Sequence, residues 1–295
     1  MDPLRALDLP WDTSLCLLRE LARRGHQNFH FLVSSISSSG GRVKGGGRLT
    51  RPLGGNYYAQ GPVKKFDLAD FDCVLIRKDP PFNTGYLSLT YLLEPLARQT
   101  PAVNHPKGIR NANEKTFGLS LSKWSPPSLV TSDPREIHAF QEKLRSDLVV
   151  KPLYEKGGKG VFLLKRKGRQ NIGLKEPVLA QKYIPLHSGR GDKRILLWKG
   201  SVLGAFERIA RPGEFRTNLS LGARFVRCSV TGTEKKLIRD LRPLLMKEGL
   251  FFVGIDVRGE KLIEVNVTSP AGLVELDRLY NAGATAKLAD ALERL

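Results

Sequence analysis

The sequence predicts an α/β protein built from more than one packed lobe. Strand-like and helix-like segments alternate up to residue 107, a pattern typical of an open α/β layer. Near the C-terminus, two short apolar segments joined by a tight turn indicate a β-hairpin. The chain of 295 residues is long enough to bury two or three hydrophobic cores.

The first part of the alternation begins with a helix at residues 13–24. Its leucines share one face, and Gly25 follows as a stop signal. The elements predicted after it are, in order, a strand at 28–33, a turn-rich loose hairpin at 34–62, a buried strand at 71–76, a helix at 87–98 and a short strand near Val103.

The second part begins with a connection and a helix start within residues 104–115. Strands at 147–152 and 160–165 are predicted on either side of a glycine-rich turn. The remaining predicted elements are a helix at 134–145, a strand at 178–184 that leads to the segment 191–197, helices at 231–247 and 282–295, and the hairpin strands at 252–257 and 262–267.

The composition indicates the cellular compartment of the protein. No apolar run is long enough for a transmembrane helix, and the first ten residues lack the basic and apolar regions of a signal peptide. The three cysteines, Cys16, Cys73 and Cys228, are odd in number, far apart and without metal-ligand spacing. We therefore expect a cytoplasmic protein with reduced thiols and no membrane partner.

The formal charge of +19 favours an anionic partner. The charge is not gathered into a basic tail or helix, as a nucleic-acid arm would be. Residues 151–169 hold seven Lys or Arg against one Glu, and residues 188–227 hold nine against three acids. These two segments suit triphosphate and carboxylate ligands better than a duplex, which makes nucleic acid an unlikely ligand. A generic basic surface is the alternative.

The hairpin near the C-terminus carries a candidate metal site. Glu264 and Asn266 are two residues apart and so share one face of the second strand, and the hairpin can bring Asp256 beside them. Three oxygen-bearing side chains suit Mg²⁺, which takes its other oxygens from water and phosphates. A polar, solvated strand face is the alternative for such a trio.

A second candidate site lies at the glycine-rich turn. Lys151 ends an apolar strand and precedes a Gly-Gly-Lys-Gly turn that contains Gly157, Gly158 and Gly160. Glycines let backbone N–H groups approach phosphate oxygens, and a lysine adds a positive charge. The turn does not match a P-loop, and an ordinary hairpin turn is the alternative.

Four arginines are spaced along the segment at residues 191–224. The guanidinium group presents a rigid fork to carboxylates and phosphates, so several on one segment can hold an anionic substrate. The four arginines are Arg194, Arg208, Arg216 and Arg224. The alternative is that they are ordinary surface arginines. No nucleophile elbow or dinucleotide-binding fingerprint accompanies them, which argues against a covalent nucleophile and a nicotinamide cofactor.

Taken in order, these segments resemble bacterial glutathione synthetase, a family of the ATP-grasp superfamily. The resemblance spans almost the whole chain, and its first and last motifs below are specific to this branch. The matching motifs are Arg77-Lys-Asp-Pro-Pro-Phe82, Asn113-Glu-Lys115, Val150-Lys-Pro-Leu153, Tyr183-Ile-Pro185, Gly191-Asp-Lys-Arg194, Gly213-Glu-x-Arg-x-Asn218, Gly249-Leu-x-Phe-Val-Gly-x-Asp256 and Glu264-Val-Asn-Val-Thr-Ser-Pro270.

The resemblance implies an N-terminal pre-ATP-grasp open α/β domain at residues 1–107 and a two-lobed ATP-grasp domain at 108–295. The small lobe would span 112–182 and the C-terminal lobe 183–295. It also implies a homo-oligomer, a tetramer or a dimer. The implied reaction joins γ-glutamylcysteine to glycine through an acyl phosphate, with ATP as co-substrate and Mg²⁺, or alternatively Mn²⁺, as cofactor.

Roles for individual residues are carried over by position. ATP would be bound by Lys115, Lys151, Gly157, Gly158, Gly160, Gln181, Lys182, Tyr183, Ile184 and Asp192. Arg194, Arg208 and Arg216 would be catalytic. Asn218, Arg224, Ser269 and Pro270 would bind the other substrates, and Asp256, Glu264 and Asn266 would hold the metal.

Three departures from the family pattern motivate rival hypotheses. Tyr154 and Glu155 stand where the family's phosphate turn has an acid and a glycine, the loop at 213–224 is glycine-poor, and the family's first strand before Met1 is absent. The first rival is a related carboxylate–amine ligase with other substrates. The second is a weakly active protein that binds nucleotide or nucleic acid.

The loop at 209–225 is expected to act as a lid. Arg216, Asn218 and Arg224 can reach substrates only if this loop folds inward. We therefore expect it to be mobile in the free enzyme and to close over ATP and peptide, which would protect an acyl phosphate from water.

Overall fold

A computed structural model describes residues 1–55, 57–167, 172–185, 190–281 and 283–295. The predicted start of the last helix, residue 282, lies outside the described residues. No helix in these ranges is both long and apolar enough to cross a membrane.

The N-terminal part combines three helices with six strands. The helices are α1 (Thr13–Arg23), α2 (Thr84–Leu93) and α3 (Pro106–Asn111). The strands are β1 (Phe29–Ser39), β2 (Arg42–Gly54), β3 (Tyr57–Gln60), β4 (Lys64–Asp67), β5 (Val74–Leu75) and β6 (Ala102–Val103).

The sheets of this part differ in detail from the predicted open layer. β1, β2 and β3 form an antiparallel sheet in which β4 also pairs with β2, and within the described residues only β5 and β6 are parallel. The stretch predicted as a loose hairpin is thus a long hairpin, whose strand register shifts between Phe31 and Ile36. Gly40 and Gly41 have φ of 56° and 78° and close its two-residue turn.

Glycine also explains how the second strand of this hairpin packs. A Cβ on Gly47 would lie 2.5 Å from the ring of Phe31 on the paired strand. The absence of a side chain there lets the aromatic ring lie flat on the sheet. Glycine-rich sequence was the signal for turns, so the prediction mistook a packing requirement for a loop.

The small lobe of the second part is a four-stranded antiparallel sheet covered by one helix. Its strands are β7 (Ser128–Thr131), β8 (Leu148–Pro152), β9 (Phe162–Leu164) and β10 (Val178–Lys182), in the order β7-β10-β8-β9. Helix α4 (Pro134–Leu144) packs Ile137 into a core with Leu148 and Val150.

The large lobe is a five-stranded antiparallel sheet in the order β13-β12-β11-β14-β15. Its strands are β11 (Asp192–Trp198), β12 (Ser201–Ile209), β13 (Arg224–Arg227), β14 (Phe252–Arg258) and β15 (Lys261–Asn266). Three helices accompany it: α5 (Gly232–Lys247), α6 (Leu273–Tyr280) and α7 (Ala284–Leu292). The hairpin predicted near the C-terminus is confirmed as β14 and β15.

Asn104 joins the N-terminal part to the large-lobe sheet. Its buried amide accepts a hydrogen bond from the backbone N–H of Phe252 (2.8 Å) and donates to the carbonyl oxygens of Phe252 and Val267 (both 2.7 Å). One side chain therefore satisfies three backbone groups that have little access to water.

Replacing Asn104 with Ala is expected to lower the free energy of unfolding by about 2–4 kcal/mol, because the change leaves three buried polar groups unpaired. Urea denaturation followed by circular dichroism would measure it. Asn111→Ala is the matched control, since Asn111 makes an exposed hydrogen bond to Glu248. Equal midpoints for the two variants would contradict the assigned role.

Candidate functional site

A cavity of about 300 Å³ lies between the small and large lobes. Strands β8 and β10 form one wall, strands β11, β12, β14 and β15 form the other, and Asp79 and Pro80 of the N-terminal part reach its rim. The predicted site residues in its lining are Lys115, Lys151, Gly157, Gly158, Gln181, Lys182, Tyr183, Ile184, Asp192, Arg194, Arg208, Arg216, Asn218, Asp256, Glu264, Asn266 and Ser269.

Three predicted residues lie outside this lining. Gly160 has φ of 69° and packs against Pro152, and Arg224 is exposed at the start of β13. Pro270 is buried, and its carbonyl oxygen accepts a hydrogen bond from Arg77 (2.9 Å). In this conformation none of the three faces the cavity, so their binding roles remain predictions without geometric support.

Two arginines of the large lobe are paired with a carboxylate in the cavity wall. Arg194 forms two hydrogen bonds with Asp256 (2.6 and 3.0 Å), and Arg208 approaches the same carboxylate to 3.0 Å. Antiparallel pairing places Arg194 directly opposite Asp256 on the neighbouring strand. Burial raises the pKa of Asp256, but the two guanidinium charges outweigh it and hold that pKa below its usual value.

Asp192 completes this charged network. It accepts a hydrogen bond from Arg208 (2.8 Å) and another from the hydroxyl of Thr217. Its side chain is almost fully buried. The ribose contact predicted for Asp192 stays a prediction, whereas the structure shows its carboxylate orienting Arg208 and the loop that carries Thr217.

Two lysines reach the cavity from the opposite direction. The half-buried Lys151 donates to the side chain of Gln181 (3.0 Å), and desolvation lowers its pKa to about 8. Lys115 donates to the carbonyl oxygen of Glu155 and lies 3.8 Å from Glu264. The two ammonium groups thus converge on one end of the cavity, where an anion would find both charges.

The glycine-rich turn is held from both sides. The N–H of Phe82 donates to the carbonyl oxygen of Tyr154 (3.2 Å), and Lys156 forms an ion pair with Asp79. Gly157 and Gly158 have φ of 64° and 77°, a conformation that favours glycine. The departure at 154 and 155 therefore leaves a well-anchored turn.

The predicted lid lies over this turn. Arg216 donates to the carbonyl oxygen of Gly158 (3.2 Å), and a Cβ on Gly158 would lie 2.8 Å from the side-chain oxygen of Asn218. Arg216 and Asn218 face the cavity, whereas Arg224 does not. The predicted mobility of the loop is a property that a single conformation does not test.

The predicted metal ligands stand side by side on the hairpin. Asp256 is directly opposite Glu264, and Asn266 is opposite Gly254, one pair further along the same face. Burial raises the pKa of Glu264, and the charge of Lys115 opposes this rise. No cluster of three or more His, Cys, Asp or Glu side chains suited to a metal ion occurs in the described parts of the chain.

This donor set still fits a Mg²⁺ ion. Two carboxylates and one amide oxygen are few ligands, which suits a hard cation that keeps water and phosphate oxygens. The amide nitrogen of Asn266 donates to the carbonyl oxygen of Gly254 (3.1 Å) and lies 3.5 Å from Asp256, so its side-chain oxygen is the atom left for a cation.

Sequence reasoning missed five charged residues of the cavity lining: Asp79, Glu114, Glu155, Lys156 and Arg258. Glu114 accepts hydrogen bonds from the backbone N–H groups of Val267 (2.8 Å) and Thr268 (3.0 Å), and so fixes the segment after β15. Its place beside Lys115 in a matching motif was a usable signal. Arg258 is the last residue of β14, beside a hairpin turn, a place where an arginine in the sequence ordinarily indicates solvent.

The fold and the site together define an ATP-grasp ligase. The structure is similar to the ATP-grasp ligase PsnB in complex with a minimal precursor (TM-score 0.63, 18% identity, 97% of this chain and 96% of that one). It is also similar to D-cycloserine synthetase DcsG (TM-score 0.56, 16% identity, 77% and 86%). At these identities the likeness shows the fold, and it confirms the predicted fold class.

The chain belongs to the prokaryotic glutathione synthetase family. Residues 1–110 match the N-terminal domain of that family and residues 114–281 its ATP-grasp domain. Glutathione synthetase of Synechococcus elongatus is 38% identical (100% of this chain, 97% of the relative), and that of Mesorhizobium japonicum is 35% identical (99% and 96%). The predicted resemblance is therefore confirmed, whereas the proposed lobe boundaries remain predictions.

Proposed function

We propose that the protein is an ATP- and Mg²⁺-dependent ligase that joins γ-glutamylcysteine to glycine. The observation that carries this proposal is the convergence of Lys115 and Lys151 on the carboxylate pair Asp256 and Glu264, inside the cavity of a chain from the glutathione synthetase family. Alternating positive and negative groups are what a nucleotide triphosphate with a divalent cation requires.

ATP fits the cavity in one direction. Lys115, Lys151 and the N–H groups of the glycine-rich turn would bind the phosphates. Residues 181–184, at the end of β10 and in the segment after it, would hold the adenine against apolar side chains, with Gln181 next to Lys151. Val149, Val161 and Ile263 line the cavity and supply such a surface.

Asp256, Glu264 and Asn266 would hold the metal ion. When bound, Mg²⁺ offsets negative charge on the β- and γ-phosphates during transfer. Arg194 and Arg208 already neutralise Asp256, so Glu264 is the carboxylate with the least compensation by protein charges. We therefore assign Glu264 the larger share of cation binding.

The peptide substrate would enter beside Ser269 and Ala271. Arg194 donates to the carbonyl oxygen of Ala271 (3.2 Å), so its guanidinium group faces this side of the cavity. A carboxylate is a poor electrophile, and phosphorylation of its oxygen makes phosphate the leaving group for attack by the glycine amine. The protein's part is to align both reactants and exclude water, which requires no covalent nucleophile.

The decisive experiment measures ADP release from ATP with γ-glutamylcysteine and glycine, against an ATP-only control. Turnover that requires both substrates is expected. A folded preparation that shows none would contradict the proposal. A panel of other donors and amine acceptors distinguishes glutathione synthesis from the first rival, a related ligase with other substrates. A strong preference for an acceptor other than glycine would favour that rival.

We further propose a homo-oligomer that functions in the cytoplasm. All three cysteines are free in the structure, as expected for a reducing compartment. Light scattering coupled to size-exclusion chromatography would measure the assembly, and a monomer at micromolar concentration would contradict this part of the proposal.

Arg216→Ala is expected to reduce turnover and peptide binding by about tenfold or more, the value of one charge-assisted hydrogen bond, while ATP affinity changes little. Steady-state kinetics with each substrate varied would measure it. Arg211→Ala is the control, because Arg211 contacts Gly222 within the same loop and does not line the cavity.

Limited proteolysis tests the lid itself. Trypsin is expected to cut after Arg216 in the free enzyme, because the bond after Arg211 precedes Pro212 and resists trypsin. An ATP analogue with γ-glutamylcysteine should protect the Arg216 bond. Cleavage at the same rate with and without these ligands would show that the loop is not a lid.

A further inference from the structure

Glu114 differs from the other carboxylates of the cavity in its charge environment. Five of the carboxylates that line the cavity form ion pairs with a Lys or Arg side chain, whereas Glu114 has no such partner in the described part of the chain. A carboxylate that no protein cation neutralises attracts a positively charged group of a ligand. The full set of carboxylates in the lining is Asp79, Glu114, Glu155, Asp192, Asp256 and Glu264.

One oxygen of the Glu114 carboxylate is occupied and the other is not. Oε1 accepts hydrogen bonds from the backbone N–H groups of Val267 (2.8 Å) and Thr268 (3.0 Å) and from the hydroxyl of Thr268 (2.8 Å). Oε2 accepts none from the described residues, and it is not one of the buried polar atoms without a partner, so it keeps access to the cavity. Oε1 therefore fixes the carboxylate, and Oε2 is available to a ligand.

The position of Glu114 indicates which part of the bound substrates would lie beside Oε2. Its backbone carbonyl oxygen accepts a hydrogen bond from the N–H of Val265 (2.8 Å), which stands between the two proposed metal ligands of β15. Its carboxylate holds Thr268, and the next residue, Ser269, lines the cavity on the side assigned to the peptide. Glu114 thus lies where the metal ligands meet the substrate side of the cavity.

We propose that Glu114 is a specificity-determining residue that binds the ammonium group of an amino-acid substrate through Oε2. An ammonium group carries a compact positive charge and three N–H donors, so it can pair with a single carboxylate oxygen. This inference rests on the proposed function, because the substrates are taken from it.

Two of the proposed substrates carry an ammonium group. Glycine carries it at the nitrogen that forms the new bond, and γ-glutamylcysteine carries it at the α-carbon of its glutamyl part. The place of Glu114 beside the metal ligands favours glycine, because the glycine nitrogen must reach the carbon of an acyl phosphate that forms next to the metal ion.

The first arm of the test compares glycine with hydroxylamine, an acceptor that is uncharged at neutral pH and traps an acyl phosphate as a hydroxamate. Glu114→Gln keeps an oxygen for the donors of Val267 and Thr268 and replaces Oε2 with an NH₂ group, which accepts no hydrogen bond. We expect the ratio of kcat/KM for glycine to that for hydroxylamine to fall about tenfold or more in this variant, because only glycine loses a charge-assisted hydrogen bond.

The second arm distinguishes the two sources of the ammonium group. It compares kcat/KM for γ-glutamylcysteine with that for glutarylcysteine, which lacks the α-amino group. This ratio should keep its wild-type value in Glu114→Gln. A tenfold fall in this ratio alone would support the inference with γ-glutamylcysteine as the source. The control is Glu94→Gln, which should keep both ratios, since Glu94 is half-buried outside the cavity and pairs with Arg110 (2.7 Å).

A structural role for Glu114, or a role as a ligand of Mg²⁺, would affect charged and uncharged substrates alike. An equal loss for both members of each pair, or no change in either ratio, would therefore overturn the inference alone. A folded wild-type protein that forms neither glutathione nor a hydroxamate would instead contradict the proposed function.

Thermal melting shows whether the variants fold. If Glu114→Gln does not, Glu114→Asp decides the matter, because it keeps the charge but withdraws it by one methylene group. Its kcat/KM should then fall more for glycine than for hydroxylamine, or more for γ-glutamylcysteine than for glutarylcysteine, and equal falls within both pairs would again overturn the inference.

Discussion

Glu264→Gln is expected to reduce ligase turnover about a hundredfold or more, and Asn266→Ala to do the same. Each change removes a ligand from the cation that neutralises the transferring phosphoryl group. Glu264 is the more informative of the two, because Lys115 approaches its carboxylate only to 3.8 Å, whereas the neighbouring Asp256 is already compensated by two arginines. The measurement is initial rate of ADP release across a Mg²⁺ titration.

The fold should tolerate both changes. Glu264 makes no close ion pair within the described residues, and its side chain is 26% exposed, so its neutralisation removes a desolvation cost rather than a packing contact. Glu260→Gln is the matched control in the same hairpin, where the side chain is exposed. Near-wild-type turnover of both ligand variants at limiting Mg²⁺ would reject the metal assignment.

Lys151→Met is expected to lower kcat/KM for ATP about a hundredfold or more, because it removes a buried positive charge from the phosphate end of the cavity. Met is similar in length and apolar, so the strand should keep its packing. Lys165→Met is the control, since Lys165 forms an exposed ion pair with Asp147. Equal kinetics for both variants would exclude Lys151 from phosphate binding.

The pH dependence gives a second signature of Lys151. Its pKa in the folded protein is about 8, below the ordinary 10.5. In the protein without ATP, Lys151 therefore loses its proton at a lower pH than an ordinary lysine does. Phosphates favour the charged form, and ATP binding at pH 9 should therefore take up a proton that is not taken up at pH 6. Calorimetry in buffers of different ionisation enthalpy measures this uptake, which Lys151→Met should abolish.

The same pKa affects stability with a definite sign. Between about pH 8 and pH 10.5 the unfolded chain holds the Lys151 proton more often than the folded chain does. This residue alone therefore makes the folded state more stable as the pH rises through that interval. Comparison of unfolding midpoints for wild type and Lys151→Met across this range isolates the contribution.

Local sequence signals predicted the C-terminal hairpin because they agree with one another. Apolar residues alternate along both strands, and Gly259 lies at the turn, with φ of 53°. Within residues 34–62 the same reasoning was right for the turn at Gly40 and Gly41 and wrong for Gly45 and Gly47, which lie inside β2. There the glycines serve the packing of Phe31 across the sheet, a requirement that depends on the partner strand and not on local conformation.

Part of the candidate site could likewise be predicted from the sequence, and part could not. The family resemblance, carried by the order of the motifs, implied most of the predicted residues that line the cavity. The residue patterns by themselves singled out only Lys151, the glycine-rich turn, the arginines and the trio Asp256, Glu264 and Asn266. Neither the resemblance nor the residue patterns predicted that Arg194 and Arg208 would form ion pairs with Asp256. That pairing arises from the register of β11 against β14 and β12, which brings together residues distant in the chain.

The sequence by itself therefore determined the fold class, the family and the chemical character of the site, because each depends on local pattern or on the order of motifs. Only the tertiary structure decided which charges are paired and which remain for a ligand. Arg208 and Arg258 both lie near strand ends, yet Arg208 is neutralised by two carboxylates, whereas the buried Nε–H of Arg258 has no hydrogen-bond partner in the described part of the chain. Pairing and burial depend on the atoms that surround a side chain, and long-range strand register sets those neighbours.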